Sequence, residues 1–135
     1  MKWSLLFLAA LACADPALAS PPDAASVETQ SGYKVVLSGV SAERQDGGDV
    51  VIHGWARREA GRVGLINAHL HVEAFAEDGQ SLGVTEGRWR GALSVRDRSA
   101  APFSVPIAPP IADAAARYLV LVVPYHQPRE ARDRS

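Results

Sequence analysis

The chain has 135 residues, a net charge of −1 at neutral pH and a single cysteine, Cys13. This length is sufficient for one hydrophobic core but leaves no room for a second domain. The even balance of acidic and basic side chains leaves no electrostatic footprint for nucleic acid or an anionic membrane, so neither is expected as a partner.

The first 19 residues are typical of an export signal. A basic second residue precedes an apolar stretch from Trp3 to Ala12, and Ala17-Leu18-Ala19 has the small-x-small form of a signal-peptidase site. The apolar stretch is too short to span a bilayer as a helix. We therefore expect residues 1–19 to be cleaved and the mature chain to be periplasmic or secreted, with no transmembrane segment.

Cys13 opens an alternative route of processing. A lipoprotein signal ends in a cysteine that becomes the lipidated first residue, after a tripeptide usually led by leucine, whereas Ala10-Leu11-Ala12 precedes Cys13 here. Cleavage after Ala19 agrees better with the sequence. The mature chain then contains neither cysteine nor methionine, which excludes disulfides, thiol catalysis and sulfur ligands for a metal.

The segments at both ends of the mature chain lack the pattern of a folded domain. Residues 20–32 contain Pro21-Pro22 and no hydrophobic periodicity, which predicts a flexible leader. Residues 127–135 are charged and have no apolar anchor, so we expect a disordered tail. The folded domain is predicted to span residues 33–126.

Alternating apolar and polar residues predict a series of short β-strands in this domain. Seven strands are expected: Tyr33–Val40, Val50–Arg57, Asn67–Ala76, a return strand from Ser81, Arg88–Val95, Phe103–Ile107 and Tyr118–Val123. A loop is predicted at Ser41–Asp49. Ile111–Arg117 has room for one or two helical turns, with a loop as the alternative.

Two of these strands also indicate their position in a sheet. Pro102 and Pro106 place the sixth strand at an edge, because proline cannot donate to a ladder of hydrogen bonds. The unbroken apolar run of Tyr118–Val123 is typical of a strand that is buried on both sides or lies at a sheet centre. The pattern as a whole predicts an all-β fold, a single antiparallel β-sandwich of immunoglobulin-like type, with a closed barrel as the main competitor.

The middle of the chain is similar to a known group of domains. The run from Val72 to Gly83, followed by a less regular segment and then Ala101-Pro102-Phe103-Ser104-Val105, resembles the exported FxLYD-type β-sandwich domains. Those domains also have a strand, an acidic-glycine turn, a Leu-Gly return and a later Phe-x-Val strand. The resemblance implies an accessory or interaction role and no catalytic residues.

Histidine is the one residue type whose spacing suggests chemistry. His69 and His71 share a strand face with Cα atoms ~6.5–7 Å apart, a spacing from which two imidazoles can reach one metal ion. Glu73 lies on the same face of this strand, and His53 joins them if the second strand pairs with the third. Three imidazoles and a carboxylate would form a zinc or copper(II) site. The alternative is an ordinary solvent-exposed strand face, with the two strands in different sheets.

Two other polar stretches favour structural roles. Asp46-Gly47-Gly48-Asp49 lacks the alternating oxygen ligands of a calcium loop and predicts a turn. Arg88-Trp89-Arg90, with Arg96 and Arg98, has the composition of a site for an acidic glycan or lipid headgroup, but it is also typical of an edge strand protected by charge.

No nucleophile elbow, zinc-protease motif or phosphate-binding loop occurs, so an enzyme is not expected. We therefore expect a non-catalytic exported binding or assembly module without a cofactor, whose partner is an unknown protein or cell-envelope component. The competing interpretation is a periplasmic metal-binding protein that uses the histidines.

Overall fold

Two β-sheets pack face to face in the computed structural model, which describes residues 25–96 and 99–125. In chain order, the elements of this part are β1 (Ser26–Gln30), β2 (Val35–Arg44), β3 (Val50–Arg58), β4 (Ala68–Phe75), β5 (Ser81–Gly87), β6 (Ala101–Ile107), α1 (Pro109–Ala114) and β7 (Arg117–Pro124). One sheet has the order β1-β7-β4-β5 and the other β2-β3-β6. The prediction of an all-β sandwich is confirmed.

The core lies between the sheets and is built from the apolar face of each strand. Alternate residues of β3 and β4 point inward as predicted, because apolar side chains recur there with a period of two. The fully buried side chains with the largest volumes are Tyr118, Phe103, Ile52, Leu70, Ile107, Val35, Val72, Val105 and Val120. Burial of such side chains is the main favourable contribution to folding.

Both predictions of strand position are confirmed. β6 lies at an edge of its sheet and carries Pro102 and Pro106, where missing donors are tolerated. β7 lies between β1 and β4 at the centre of the larger sheet. The short helix α1 begins two residues before the segment Ile111–Arg117, in which one or two helical turns were predicted, and ends three residues before its end.

The flexible leader predicted at residues 20–32 is wrong for the segment that forms β1. Ser26–Gln30 pairs in parallel with β7, so the sandwich is not purely antiparallel and its folded part begins before residue 33. The strand was missed because Val27 is its one large apolar residue. Hydrogen bonds to β7 and packing of Val27 against the core hold it in place. The signal segment 1–19, the rest of the leader up to residue 24 and the tail 127–135 lie outside the described residues.

The first predicted loop is shorter than expected. β2 continues to Arg44 through an irregularity between Ser38 and Ser41, where Gly39 has φ +58°. A positive φ costs glycine little, so the strand resumes after a bulge instead of ending. The turn itself covers the predicted aspartate-glycine stretch and is closed by the amide of Gln45 donating to the carbonyl of Asp49, at 2.7 Å.

The strand predicted at Arg88–Val95 is wrong for the described residues. Trp89 forms only an isolated bridge with Phe103, and the chain then turns at Gly91, where φ is +89°. A left-handed residue at this point ends the extended conformation that the alternation suggested. Seven strands are present in the described part of the chain because β1 replaces this segment.

Within the described residues, no helix is long and apolar enough to cross a membrane.

Candidate functional site

Two histidines and a glutamate meet on the outer face of the larger sheet. His69 and His71 project from β4 on the face opposite the core, and Glu86 lies directly across from His71 on β5. We refer to His69, His71 and Glu86 as the outer-face cluster. One potential ligand atom from each residue lies within 4.8 Å of the other two.

The side chains of the outer-face cluster are in direct contact. The Nε2 atoms of His69 and His71 are 2.8 Å apart, a distance at which one ring donates a hydrogen bond to the other. Glu86 Oε1 lies 3.4 Å from His71 Nε2 and 3.7 Å from His69 Nε2. All three atoms therefore face a common point at the sheet surface.

Tyr125 covers His69 from outside. The two rings are stacked with centroids 4.4 Å apart and planes inclined by 27°, and Arg88 Cζ lies 5.3 Å from the centroid of the Tyr125 ring. As a result His69 is only 7% exposed although it belongs to the outer face of the sheet. His71 is partly exposed and the Glu86 side chain is largely in solvent.

Burial lowers the pKa of His69 below its ordinary value, and the electrostatic influence of His71 and Arg88 acts in the same direction. The Glu86 carboxylate opposes them and raises this pKa. The net effect is a lowered pKa and a neutral ring at neutral pH. Its Nδ1 atom is buried and has no hydrogen-bond partner among the described residues.

Only two of the four metal ligands predicted from the sequence come together. His53 lies on β3, which pairs with β2 and β6 in the other sheet and not with β4. The assumed pairing of the second and third strands is therefore wrong, because the connection between them crosses from one sheet to the other. Glu73 is on the same strand face as His71 but accepts a hydrogen bond of 2.8 Å from Ser81 Oγ.

Sequence reasoning missed Glu86 because of an irregularity in the β4–β5 hairpin. Phe75 pairs with Ser81 next to the turn, but one extra residue in β5 shifts the register between Ala74 and Phe75. Without that bulge His71 would pair with Thr85, and Glu86 would point to the opposite side of the sheet, away from the histidines. The Gly83 within the return strand was the only local signal for such a shift, because glycine in a strand often marks a bulge.

A groove lies beside the outer-face cluster, and its lining includes Arg88 and Tyr125, the ring that stacks on His69. The groove has a volume of about 440 Å³, and its apolar lining includes Leu65, Ile66, Ala68, Trp89 and Leu93. We refer to it as the Leu65 groove. Leu65 is 86% exposed, so the rim presents an apolar side chain to solvent.

Arg58 holds the two walls of the Leu65 groove together. Its guanidinium donates to the carbonyl of Gly64 at 2.8 Å and, from two nitrogens, to the carbonyl of Leu93 at 3.1 and 3.2 Å. The predicted basic stretch Arg88-Trp89-Arg90 contributes Arg88 and Trp89 to this region. The sequence predicts neither the groove nor the hydrogen bonds of Arg58, because both depend on how the irregular segments 64–66 and 91–93 fold against β3.

No family model, curated protein or solved structure matches this chain. The resemblance to FxLYD-type and immunoglobulin-like domains therefore stays a prediction.

Proposed function

We propose that this chain is a non-catalytic binding module, exported to the periplasm or secreted, which binds a protein partner of the cell envelope through the Leu65 groove. The observation that carries the proposal is the groove itself, an apolar cavity of about 440 Å³ with an exposed leucine at its rim. At protein–protein interfaces, the side chains that contribute most to binding are usually anchors that fill desolvated pockets of the partner.

The walls of the groove are fixed before any partner arrives. The three hydrogen bonds from Arg58 tie one wall to the other, so that a partner side chain entering between Leu65 and Trp89 meets a formed surface. Because the site is already formed, binding does not carry the entropy cost of ordering these loops. Exposed apolar side chains at Val63 and Leu65 extend the surface available to a protein partner beyond the groove.

The polar residues on the other sheet support a non-catalytic role. Ser41 Oγ lies 3.2 Å from His53 Nε2, and Glu43 Oε2 lies 3.4 Å from the same nitrogen. A catalytic triad needs the hydroxyl and the carboxylate on different ring nitrogens, at hydrogen-bond distance. In this group the serine hydroxyl lies closer to Nε2, the same ring nitrogen that faces the glutamate, so the arrangement differs from a triad. All three side chains are exposed or half-exposed.

Photo-crosslinking in the cells that make the protein tests the proposal. A photoreactive amino acid at position 65 should give a discrete adduct with a partner, whereas the same amino acid at position 84 should not. Val84 is a matched control because it is also an exposed apolar residue, 52% accessible, but lies on β5 away from the groove. The absence of an adduct at position 65, or the same adduct from both positions, would contradict the proposal.

A second candidate function is zinc or copper(II) binding, and the observation that favours it is the outer-face cluster. Metal analysis of tag-free protein isolated from the periplasm tests this function directly. We expect a metal-binding protein to retain close to one equivalent of one metal. Protein without metal would argue against this second function and leave the first unaffected.

A further inference from the structure

We propose that His69 Nε2, His71 Nε2 and a carboxylate oxygen of Glu86 bind one divalent transition-metal ion, Zn²⁺ or Cu²⁺, and leave a coordination position open to solvent. The proposal rests on the second candidate function and gives it a ligand set, which replaces the one expected from the sequence. His53 and Glu73 take no part in it.

The backbone brings the three ligands together without any rearrangement. His69 and His71 are two residues apart on one strand, and Glu86 is the direct cross-strand partner of His71. Side chains in these relations have Cβ atoms about 4.5–7 Å apart, which is within reach of a shared ion for imidazole and carboxylate groups. Two adjacent hydrogen-bonded strands therefore fix all three.

The distances between ligand atoms are close to those around a tetrahedral ion. Zinc bonds of about 2.0–2.2 Å to nitrogen and oxygen place neighbouring ligand atoms roughly 3.3–3.6 Å apart. The separations of Glu86 Oε1 from the Nε2 atoms of His71 and His69 are 3.4 and 3.7 Å. The 2.8 Å between the two imidazole nitrogens is shorter because they share a proton, and small ring rotations would widen it when an ion replaces that proton.

Tyr125 is a positioning residue for the site. A metal-bound imidazole is usually oriented by a hydrogen bond from its other nitrogen, but His69 Nδ1 has no such partner among the described residues. The stacked Tyr125 ring supplies orientation instead, since it restricts rotation of the His69 ring from a centroid distance of 4.4 Å. Phenylalanine at position 125 would preserve this contact, and alanine would remove it.

The ligand types limit the choice of metal. Two imidazoles and one carboxylate suit Zn²⁺ and Cu²⁺, whereas Ca²⁺ and Mg²⁺ prefer sites made of oxygen atoms. Two neutral imidazoles and one carboxylate leave a divalent ion with a net positive charge. Because Glu86 is largely exposed, the remaining coordination position faces solvent and is available to water or to a donor group of another molecule.

Zinc titration of the tag-free mature protein against a competing chromophoric chelator tests this assignment. We expect one saturable site in the wild type. Glu86→Gln and His71→Ala should each weaken zinc binding at least about 10-fold, since loss of even an outer partner of a ligand costs about 10–100-fold. Both positions are at least partly exposed, so these variants are expected to fold, and circular dichroism verifies it.

Glu73→Gln is the matched control, because it removes a carboxylate from the same strand face two residues from His71. It should bind zinc as the wild type does, and so should His53→Ala. Tyr125→Ala should weaken binding, while Tyr125→Phe should not. With Cu²⁺, electron paramagnetic resonance should show coupling to two nitrogen nuclei.

A wild type without saturable binding would overturn the proposal. So would an unchanged affinity in Glu86→Gln, or an equal loss in Glu73→Gln. If zinc binds as described in vitro but the periplasmic protein contains no metal, the site stands and the second candidate function fails.

Discussion

His71 and Glu86 face each other across the β4–β5 hairpin, with Nε2 and Oε1 3.4 Å apart. β5 is an edge strand that is hydrogen-bonded to one strand only, β4, so this contact lies where the larger sheet is easiest to open. A bound ion would join the two strands by bonds much stronger than one exposed ion pair, which contributes about 0–1 kcal/mol. Hydrogen exchange in β5 should slow when zinc is added.

The stability of the fold is predicted to be sensitive to the addition of a single methyl group at Gly54. A Cβ at this position of β3 would lie 2.9 Å from both Phe103 Cζ and Val40 Cγ2, which is too close for real side chains. We expect Gly54→Ala to lower the free energy of unfolding by about 1–3 kcal/mol, the usual cost of overpacking a core. Chemical denaturation measures it. Gly47→Ala is the control, since its added Cβ would meet nothing within 4 Å.

Arg58 is predicted to stabilise the Leu65 groove more than the rest of the fold. Arg58→Met removes the donors to Gly64 and Leu93, and should cost about 1–3 kcal/mol because hydrogen bonds from a charged group are lost and carbonyls lose their partners. Hydrogen exchange should increase mainly at 63–66 and 91–94. The control substitution Arg57→Met, at the preceding residue of β3, should leave hydrogen exchange in both regions unchanged.

The metal-free protein should lose stability when it is acidified. The pKa of His69 is lower in the folded chain than its ordinary value of 6.5, so the unfolded chain binds more protons between the two pKa values. The free energy of unfolding therefore falls as the pH drops below about 6.5, and the loss stops once the pH passes the folded pKa.

Melting temperatures measured with chelator from pH 7.5 to 5 test this linkage. His69→Gln should flatten the acid side of the profile, whereas His53→Gln should retain it, because that ring is exposed on the other sheet. The same acid-side loss in wild type and His69→Gln would assign the effect to other groups.

Processing is predicted from Ala17-Leu18-Ala19. The intact mass of the protein recovered from the periplasm or medium should correspond to a chain that begins at Ser20. A lipid-modified species that begins at Cys13 would contradict this and would tether the protein to a membrane.

The strands of the core were predictable because their period of two is strong. Leu70 and Val72 alternate with the polar residues His69, His71 and Glu73, and the burial of both apolar residues follows directly from that pattern. β1 was not predictable, since a segment with only Val27 as a large apolar residue becomes a strand through its partner β7 and not through its own composition.

Two of the three residues of the outer-face cluster could be predicted. His69 and His71 are adjacent through local strand geometry, which sequence spacing encodes directly. Glu86 and Tyr125 depend on a bulge in β5 and on the end of β7, and both are non-local features. His53 was misplaced for the same reason, because spacing alone does not determine which sheet a strand joins.

The parallel pairing of β1 with β7 joins Ser26 to Arg117, across almost the whole described chain. β7 is also the partner of β4, so the larger sheet lacks its centre until the last strand is available. Before then β4 and β5 form only an isolated hairpin, which is marginally stable in water, and β1 has no sheet partner. Such long-range pairing slows folding. A growing chain therefore cannot complete its larger sheet until β7 is released, and that release commits the protein to its fold.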